Sequence, residues 1–283
     1  YGIVIFVVDT RTHKVTPFNH FTDKLKTSWD IEFCNDKIFI NTINNVVALD
    51  ASHSYAIEFL YQNNSEQPIR SLQCSGEILA FYVADEVVLA QTDNVEVSRR
   101  LSLAEVFPQL KEISVVRLLD DVIYVGGDTG FYRYQDNIWQ FVGFDEVHSI
   151  TKAIQDVYRH IDGTIWVASS GIYRVSNDKL VPLHNLYPLL SLPSVETIKK
   201  IAALNDKEVL FSSTQIGVVV LPAETAATRF LGMREKIHQE KVVSAFRMGD
   251  DNVLLETHQH VFRVDLKHNG DLYPLPIDVD GLV

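Results

Sequence analysis

A pattern of four short strands recurs along the chain at a mean interval of 43 residues. In its clearest copy, strand-forming residues fill 153–160, 164–169, 171–175 and 179–183, with turn residues between them. The residue just before the third strand marks the register, and its copies are Gly2, Asn45, Glu86, Gly130, Gly171, Gly217 and His260. Their spacings run from 41 to 46 residues. A repeat of that length is typical of one four-stranded blade of a β-propeller.

Turn residues between the first and second strands support the same register. The pairs are Asn35-Asp36, Ser75-Gly76, Asp120-Asp121, Asp162-Gly163, Asn205-Asp206 and Asp250-Asp251. These residue types tolerate positive φ or hydrogen-bond their own backbone, which two-residue hairpin turns require. Helical patterns are weak, because the one plausible amphipathic stretch, 101–112, is interrupted by Pro108. We therefore predict a short insert there and strands elsewhere.

The sequence predicts an all-β fold, a single β-propeller domain over residues 1–283 with seven four-stranded antiparallel blades. The predicted complete blades are 28–61, 68–101, 113–144, 153–186, 196–232 and 242–275. Residues 1–18 supply only the third and fourth strands of an incomplete first blade, and 276–283 begin the closing blade. About 20 further residues would complete it at this period. An eight-bladed or open arrangement is the alternative to seven blades, because the period fixes blade size and not ring closure.

Composition and charge exclude some partners. The formal net charge of −12 opposes binding to a phosphate backbone, so we predict no nucleic-acid partner. No apolar run approaches the ~18 residues that a membrane-spanning helix needs. The two cysteines, Cys34 and Cys74, occupy matching places in adjacent inner strands. A disulfide between them and two buried free thiols both remain open, and the pattern favours the free thiols.

Sequence motifs for catalysis are absent. The chain contains no G-x-S-x-G, no H-E-x-x-H and no P-loop, so we predict no catalytic residue and no cofactor. His258 and His260 are the most metal-like pair, but they lack a neighbouring Cys or carboxylate pair to complete a coordination shell. We interpret them as turn residues and predict no metal site. Residues 126–130 are glycine-rich yet join two strands, which indicates a turn rather than a phosphate site.

Candidate ligand-binding residues follow from propeller geometry. Loops that enter the inner strands and links between second and third strands converge on one face, where propellers bind ligands. Polar and aromatic residues predicted on that face are His20, Tyr61, His148, His184, Tyr187, Arg234, His238, His258 and His260.

The central copy resembles the two-component regulator propeller repeat. The resemblance rests on Asp162, the segment 165–169 (IWVAS) and the segment 171–175 (GIYRV). Weaker copies lie at 123–127 (IYVGG) with 130–134 (GFYRY), and at the N-terminus, where 1–3 (YGI) leads to Phe6 and Asp9. Residues 280–282 (DGL) resemble the lead-in to a new blade.

The resemblance implies signal input. Such propellers form the extracytoplasmic sensor regions of bacterial hybrid histidine kinases or diguanylate cyclases, which implies a periplasmic location and a membrane-anchored parent protein. It implies an unidentified small-molecule ligand, with saccharides among the candidates, or self-association as a dimer. Kinase or cyclase activity would belong to the parent, so this segment is predicted not to be an enzyme. The alternatives are a protein-interaction scaffold and, less favoured, a propeller lyase, glycosidase or quinoprotein.

Overall fold

The computed structural model describes residues 6–8, 15–17, 30–50, 56–93, 97–120, 122–144, 153–183, 198–205, 208–213, 217–222, 229–231, 242–248, 252–257, 261–265 and 271–274. Contacts divide the chain into two compact units, the first formed by 1–127 with 131–141 and the second by 128–130 with 142–283. Each unit is built almost wholly of β-strands.

Antiparallel sheets of consecutive strands make up the first unit. Its strands are β1 (Phe6–Val8), β2 (Val15–Pro17), β3 (Ile31–Cys34), β4 (Lys37–Asn41), β5 (Asn45–Asp50), β6 (Ala56–Gln62), β7 (Ile69–Ser75), β8 (Ile78–Val83), β9 (Glu86–Gln91), β10 (Val97–Ser102), β11 (Ile113–Leu119), β12 (Val122–Gly127) and most of β13 (Gly130–Gln135) and β14 (Ile138–Phe144). β1 pairs with β2, β3 to β6 form one sheet, and β7 to β10 form the next.

Three further groups of four strands belong to the second unit. They are β15 (Asp156–Arg159), β16 (Ile165–Ala168), β17 (Ile172–Ser176) and β18 (Lys179–Pro182); β19 (Ile198–Asn205), β20 (Glu208–Ser213), β21 (Gly217–Pro222) and β22 (Arg229–Leu231); β23 (Val242–Met248), β24 (Asn252–Thr257), β25 (Val261–Asp265) and β26 (Asp271–Pro274). Within each group consecutive strands pair antiparallel. The all-β prediction is confirmed, whereas the number of blades and the single domain stay predictions.

One pairing departs from the antiparallel pattern. Gly143 and Phe144, at the end of β14, pair in parallel with Lys179 and Leu180 of β18. The Phe144 ring also meets Tyr173 edge to face, with ring centroids 5.0 Å apart. This parallel contact joins the outer strands of two different repeats. A prediction from the repeat interval describes pairing within a repeat and does not include it.

The predicted turn Asn35-Asp36 is confirmed, whereas the turn predicted at Ser75-Gly76 lies one residue later, at Gly76-Glu77, because Ser75 still pairs with Ile78. The pairs at 120–121, 205–206 and 250–251 lie wholly or partly outside the described residues. Asn35 and Asp36 have φ of 51° and 58°, and Gly76 has φ of 55°. The pair Asp162-Gly163, however, lies in a longer connection than the predicted two-residue turn. The last strand pair there is Arg159 with Ile165. The intervening residues are closed by the hydrogen bond from the His160 N–H to the Thr164 carbonyl, 2.8 Å, so this part of the prediction is wrong.

The predicted insert contains the single helix of the described residues. α1 (Leu103–Val106) follows β10 and ends before Pro108. Phe107, just after it, is fully buried and packs edge to face on Trp139, with ring centroids 4.9 Å apart. The insert therefore anchors an aromatic residue against the β11–β14 sheet.

Apolar faces of neighbouring sheets stack within each unit. In the first unit, Phe39 and Val46 from the β3–β6 sheet pack with Phe81 and Val88 from the β7–β10 sheet. In the second unit, Trp166 packs on Phe211, with ring centroids 5.7 Å apart. Such stacking buries both faces of a sheet, which explains why several strands are apolar throughout.

Side chains on the inner strands bond to the backbone of the next inner strand. The Asp30 carboxylate accepts hydrogen bonds from the Ser71 and Leu72 N–H groups, at 3.0 and 3.3 Å. The Ser71 hydroxyl accepts from the Val116 N–H at 2.9 Å and donates to the Val116 carbonyl at 3.0 Å. In the second unit, the Asp156 carboxylate accepts from the Ile201 N–H at 2.8 Å. We call these contacts the inner-strand links.

Cys34 and Cys74 form a disulfide between β3 and β7, with their Cα atoms 6.4 Å apart. Both residues are half-buried. The favoured prediction of buried free thiols is therefore wrong. The matching positions of the two residues near the ends of adjacent inner strands bring their Cβ atoms within bonding range.

Loss of an inner-strand link should destabilise the protein. Asp156 is 1% exposed and also accepts from the Val157 N–H. Asp156→Ala leaves a buried N–H of Ile201 without its acceptor, so we expect the free energy of unfolding to fall by about 1–3 kcal/mol. Urea denaturation measures this change in the free energy of unfolding. Asp85→Ala, in an exposed turn, is the control and should change it by less than about 0.5 kcal/mol. Equal effects of the two substitutions would contradict the assignment.

Candidate functional site

Links between second and third strands meet the connections to the next inner strand in both units. In the first unit, the Asn63 N–H donates to the Asn44 carbonyl at 2.7 Å, and the Ile69 N–H donates to the Ile43 carbonyl at 3.1 Å. In the second unit, the Ile198 N–H donates to the Ser169 carbonyl at 3.0 Å. We call this side of each unit the link edge. The inner strands begin there and the second strands end there.

A polar loop on the link edge of the first unit is held in one conformation by its own side chains. Asn63 is buried, and its amide donates to the Gln67 carbonyl at 2.6 Å and accepts from the Ser65 N–H at 2.9 Å. Asn64 and Glu66 remain exposed on the same loop. A loop fixed in this way presents polar groups without a large ordering cost on binding.

Tyr82 is the centre of a polar cluster at the start of the inner strands. Arg70 is directly opposite Tyr82 across the β7–β8 pair, so both side chains lie on one face of the sheet. The Tyr82 hydroxyl donates to the Ser114 carbonyl at 3.1 Å. The charges of Asp30 and Glu112 also act on this hydroxyl. We call these five residues the Tyr82 cluster.

Electrostatics keep the Tyr82 hydroxyl protonated. Burial raises the pKa of Tyr82 to about 12, Arg70 lowers it, and the negative charges of Asp30 and Glu112 raise it. Tyr82 is 9% exposed, whereas Arg70 and Glu112 are exposed. The cluster therefore combines a neutral phenol with charges of both signs that solvent reaches. Such a set can donate to and accept from the hydroxyl groups of a polar ligand.

Tyr61 belongs to a second polar group of the first unit, which it forms with Arg100 and Glu86. It is in β6, 9% exposed, and its ring meets Phe81 with centroids 4.9 Å apart. Arg100 places its guanidinium 5.4 Å from the Tyr61 ring centroid and donates to the Glu86 carboxylate at 3.1 Å. Burial lowers the pKa of Arg100, but hydrogen bonds to Glu86 and Tyr61 outweigh it and raise the pKa.

Tyr61 is the one predicted ligand-binding residue that the structure describes. It lies within a strand rather than on an open loop, because β6 continues through Gln62. Its role in binding stays a prediction. The other predicted residues lie outside the described part of the chain: His20, His148, His184, Tyr187, Arg234, His238, His258 and His260.

The Tyr82 cluster did not emerge from the sequence. A usable signal exists at two of its positions, because Asp30 and Arg70 are charged residues at the start of two successive inner strands. Tyr82 itself resembles an ordinary strand residue. Its partner group on Ser114 is a carbonyl 32 residues away, which no local pattern reveals.

The described residues form neither a metal-binding group nor a membrane-spanning helix. Across these segments, no group of three or more His, Cys, Asp or Glu residues is placed to hold a metal ion. Among the same residues no helix has the length and apolar character needed to cross a membrane.

Comparison with known proteins shows the fold. No protein-family model matches the chain, and no curated protein matches it. The WD40 β-propeller domain of Doa1 is 12% identical over 87% of this chain and 81% of its own, with a TM-score of 0.69. Virginiamycin B lyase from Staphylococcus aureus is 10% identical over 89% and 85%, with a TM-score of 0.69. YCF48 bound to D1 peptide is 11% identical over 90% and 82%, with a TM-score of 0.63.

These likenesses establish a β-propeller fold for the chain. At such identities they carry the fold alone, because one fold supports unrelated functions. The lyase activity and the bound peptide therefore belong to those proteins.

Titration should identify Tyr82 as a late-ionising tyrosine. Burial raises the pKa of Tyr82 to about 12 in the folded protein, whereas an unperturbed tyrosine has a pKa of 10.0. The stability that the protonated Tyr82 contributes is therefore fully present below pH 10 and is lost as the pH rises through about 12. We expect Tyr82→Phe to remove the last phenolate absorbance step and to flatten this alkaline loss. Arg70→Met should move the step to higher pH, and identical curves for all three proteins would refute the assignment.

Proposed function

We propose that the chain is the ligand-sensing, signal-input propeller of a bacterial membrane-bound signalling protein of the two-component sensor or diguanylate cyclase type. The resemblance of the central repeat and the β-propeller fold support this proposal. The observation that carries it is the Tyr82 cluster, a mixed-charge, solvent-reached group at the start of the inner strands.

The chemistry of the cluster favours a small polar ligand, with a saccharide as the first candidate. Arg70 donates through a planar guanidinium, and Asp30 and Glu112 accept through carboxylates beside the buried Tyr82 hydroxyl. Alternating donors and acceptors match the hydroxyl groups of a sugar ring better than they match a single charged group.

A periplasmic location is part of the proposal. Disulfides persist in oxidising compartments such as the bacterial periplasm and are rare in the cytosol. The bond between Cys34 and Cys74 supports this location. Catalysis is assigned to the parent protein and not to this segment.

Ligand binding can be tested with a panel of neutral and acidic saccharides. We expect one member to raise the melting temperature in proportion to its concentration over its Kd. Arg70→Ala should weaken that binding at least about tenfold, a loss typical of one charged hydrogen bond. Arg174→Ala, an exposed arginine of the second unit, is the matched control and should bind normally.

Two results would count against this function. One is an Arg70→Ala protein that binds the same saccharide unchanged. The other is a full-length parent whose signalling response survives deletion of the propeller.

A protein-interaction scaffold is the second candidate, and one observation favours it. Ile31 and Phe33 lie on the same face of β3 and are 47% and 66% exposed. Exposed apolar pairs of this kind are common where a second protein docks, including another copy of the same chain.

Phe33→Ser tests the scaffold candidate. If β3 docks a protein or a second copy, the substitution should abolish co-purification or shift sedimentation to the monomer. Ile138→Ser, at a residue 67% exposed on another sheet, is the control. Unchanged assembly of both variants would remove this candidate and leave ligand sensing untouched.

A further inference from the structure

The disulfide lies at the end of the least buried inner strand. Cys34 is the last residue of β3 and Cys74 is the next-to-last residue of β7, and 40 positions separate them. A tight turn follows each strand, at Asn35-Asp36 and at Gly76-Glu77. The bond therefore joins two neighbouring sheets of the first unit close to their turns.

β3 buries less apolar surface than the other inner strands that the structure describes in full. None of its four residues is buried, whereas β7 buries Ile69 and Leu72, and β11 buries Ile113 and Val116. One face of β3 is open, since Phe33 is 66% exposed. Because apolar burial is the main stabilising contribution to strand packing, β3 receives little of it.

Polar contacts supply the remaining attachment of β3 to β7. The Gln73 amide donates to the Glu32 carboxylate at 2.6 Å. The Asn35 amide donates to the Gly76 carbonyl at 2.8 Å. Partly exposed hydrogen bonds of this kind exchange with water and allow local opening. The Cys34–Cys74 disulfide is therefore the strongest contact between β3 and β7.

We propose that Cys34 and Cys74 form a thiol–disulfide exchange site that clamps β3 to β7 and releases it on reduction by a dithiol. A thiolate of the dithiol attacks one sulfur of the pair, the S–S bond breaks, and the other sulfur leaves as a thiolate that takes up a proton. The second thiol of the reductant then displaces the mixed disulfide. The dithiol is oxidised to its own disulfide, and two cysteine thiols are formed.

The half-buried state of both cysteines is what makes exchange feasible in the folded protein. A thiolate must approach along the S–S axis, which a fully buried pair does not allow. This inference does not depend on the proposed ligand-sensing function, because it concerns only the attachment of β3.

Alkylation of the native chain tests the exchange site. Protein purified without reductant should take up no iodoacetamide when denatured. After native treatment with dithiothreitol it should take up two equivalents, one on each cysteine. Two equivalents without reductant would overturn the disulfide, and a bond that dithiothreitol reduces only in denaturant would overturn the exchange site.

Hydrogen exchange and melting test the clamp. Reduction should lower the melting temperature by about 10 °C, as expected for a loop of this length. It should also speed amide exchange in β3 and the β3–β4 turn by at least about tenfold while β15 and β16 stay unchanged. The double variant Cys34→Ser with Cys74→Ser should resemble the reduced protein and ignore dithiothreitol. If that variant fails to fold, amide exchange of the reduced wild-type protein tests the clamp by itself. Unchanged amide exchange in β3 after reduction would refute the clamp.

Discussion

Every inner strand that the structure describes has one edge that no strand of its own sheet covers, and the structure depends on how that edge is satisfied. A β-strand edge presents backbone N–H and C=O groups that cost free energy if they are buried without partners. In the inner-strand links, a side chain from the preceding sheet forms hydrogen bonds with these backbone groups. Asp156 reaches Ile201 at a separation of 45 residues, and Ser71 reaches Val116 at the same separation. One repeat therefore supplies the partner for the next.

The links also set the distance between neighbouring sheets. Ser71 has φ of 58°, and it lies where the β7–β8 register shifts, so a β-bulge aims its hydroxyl at Val116. Register shifts recur in β11, β19 and β23 near their first residues. With the inner edges tied, the apolar faces stack closely enough to exclude water. Within the β11–β12 pair, a Cβ at Gly127 would overlap the Glu112 carbonyl oxygen, so glycine is required beside the start of β11.

The sequence predicted the features that repeat. The 43-residue interval depends on strand length and turn chemistry, both of which are local, so the strand groups and turns such as Asn35-Asp36 could be read directly. Pairing between sheets is not local. The Cys34–Cys74 bond and the parallel pairing at Gly143 depend on positions that only the folded sheets define. The Tyr82 cluster was missed for the same reason, since its members lie in or immediately before three inner strands and in one second strand.

β3 connects these features in a single short element. Asp30 immediately precedes it, acts on Tyr82 and accepts from the N–H groups of Ser71 and Leu72. Cys34 ends it and carries the bond to β7. Four residues at about 3.3 Å each separate the charged cluster from the disulfide. Because the strand is this short, both of its ends are attached to the same neighbour, at Asp30 by hydrogen bonds to β7 and at Cys34 by the disulfide. The Tyr82 cluster and the disulfide thus share one strand, and both depend on how β3 is held against β7.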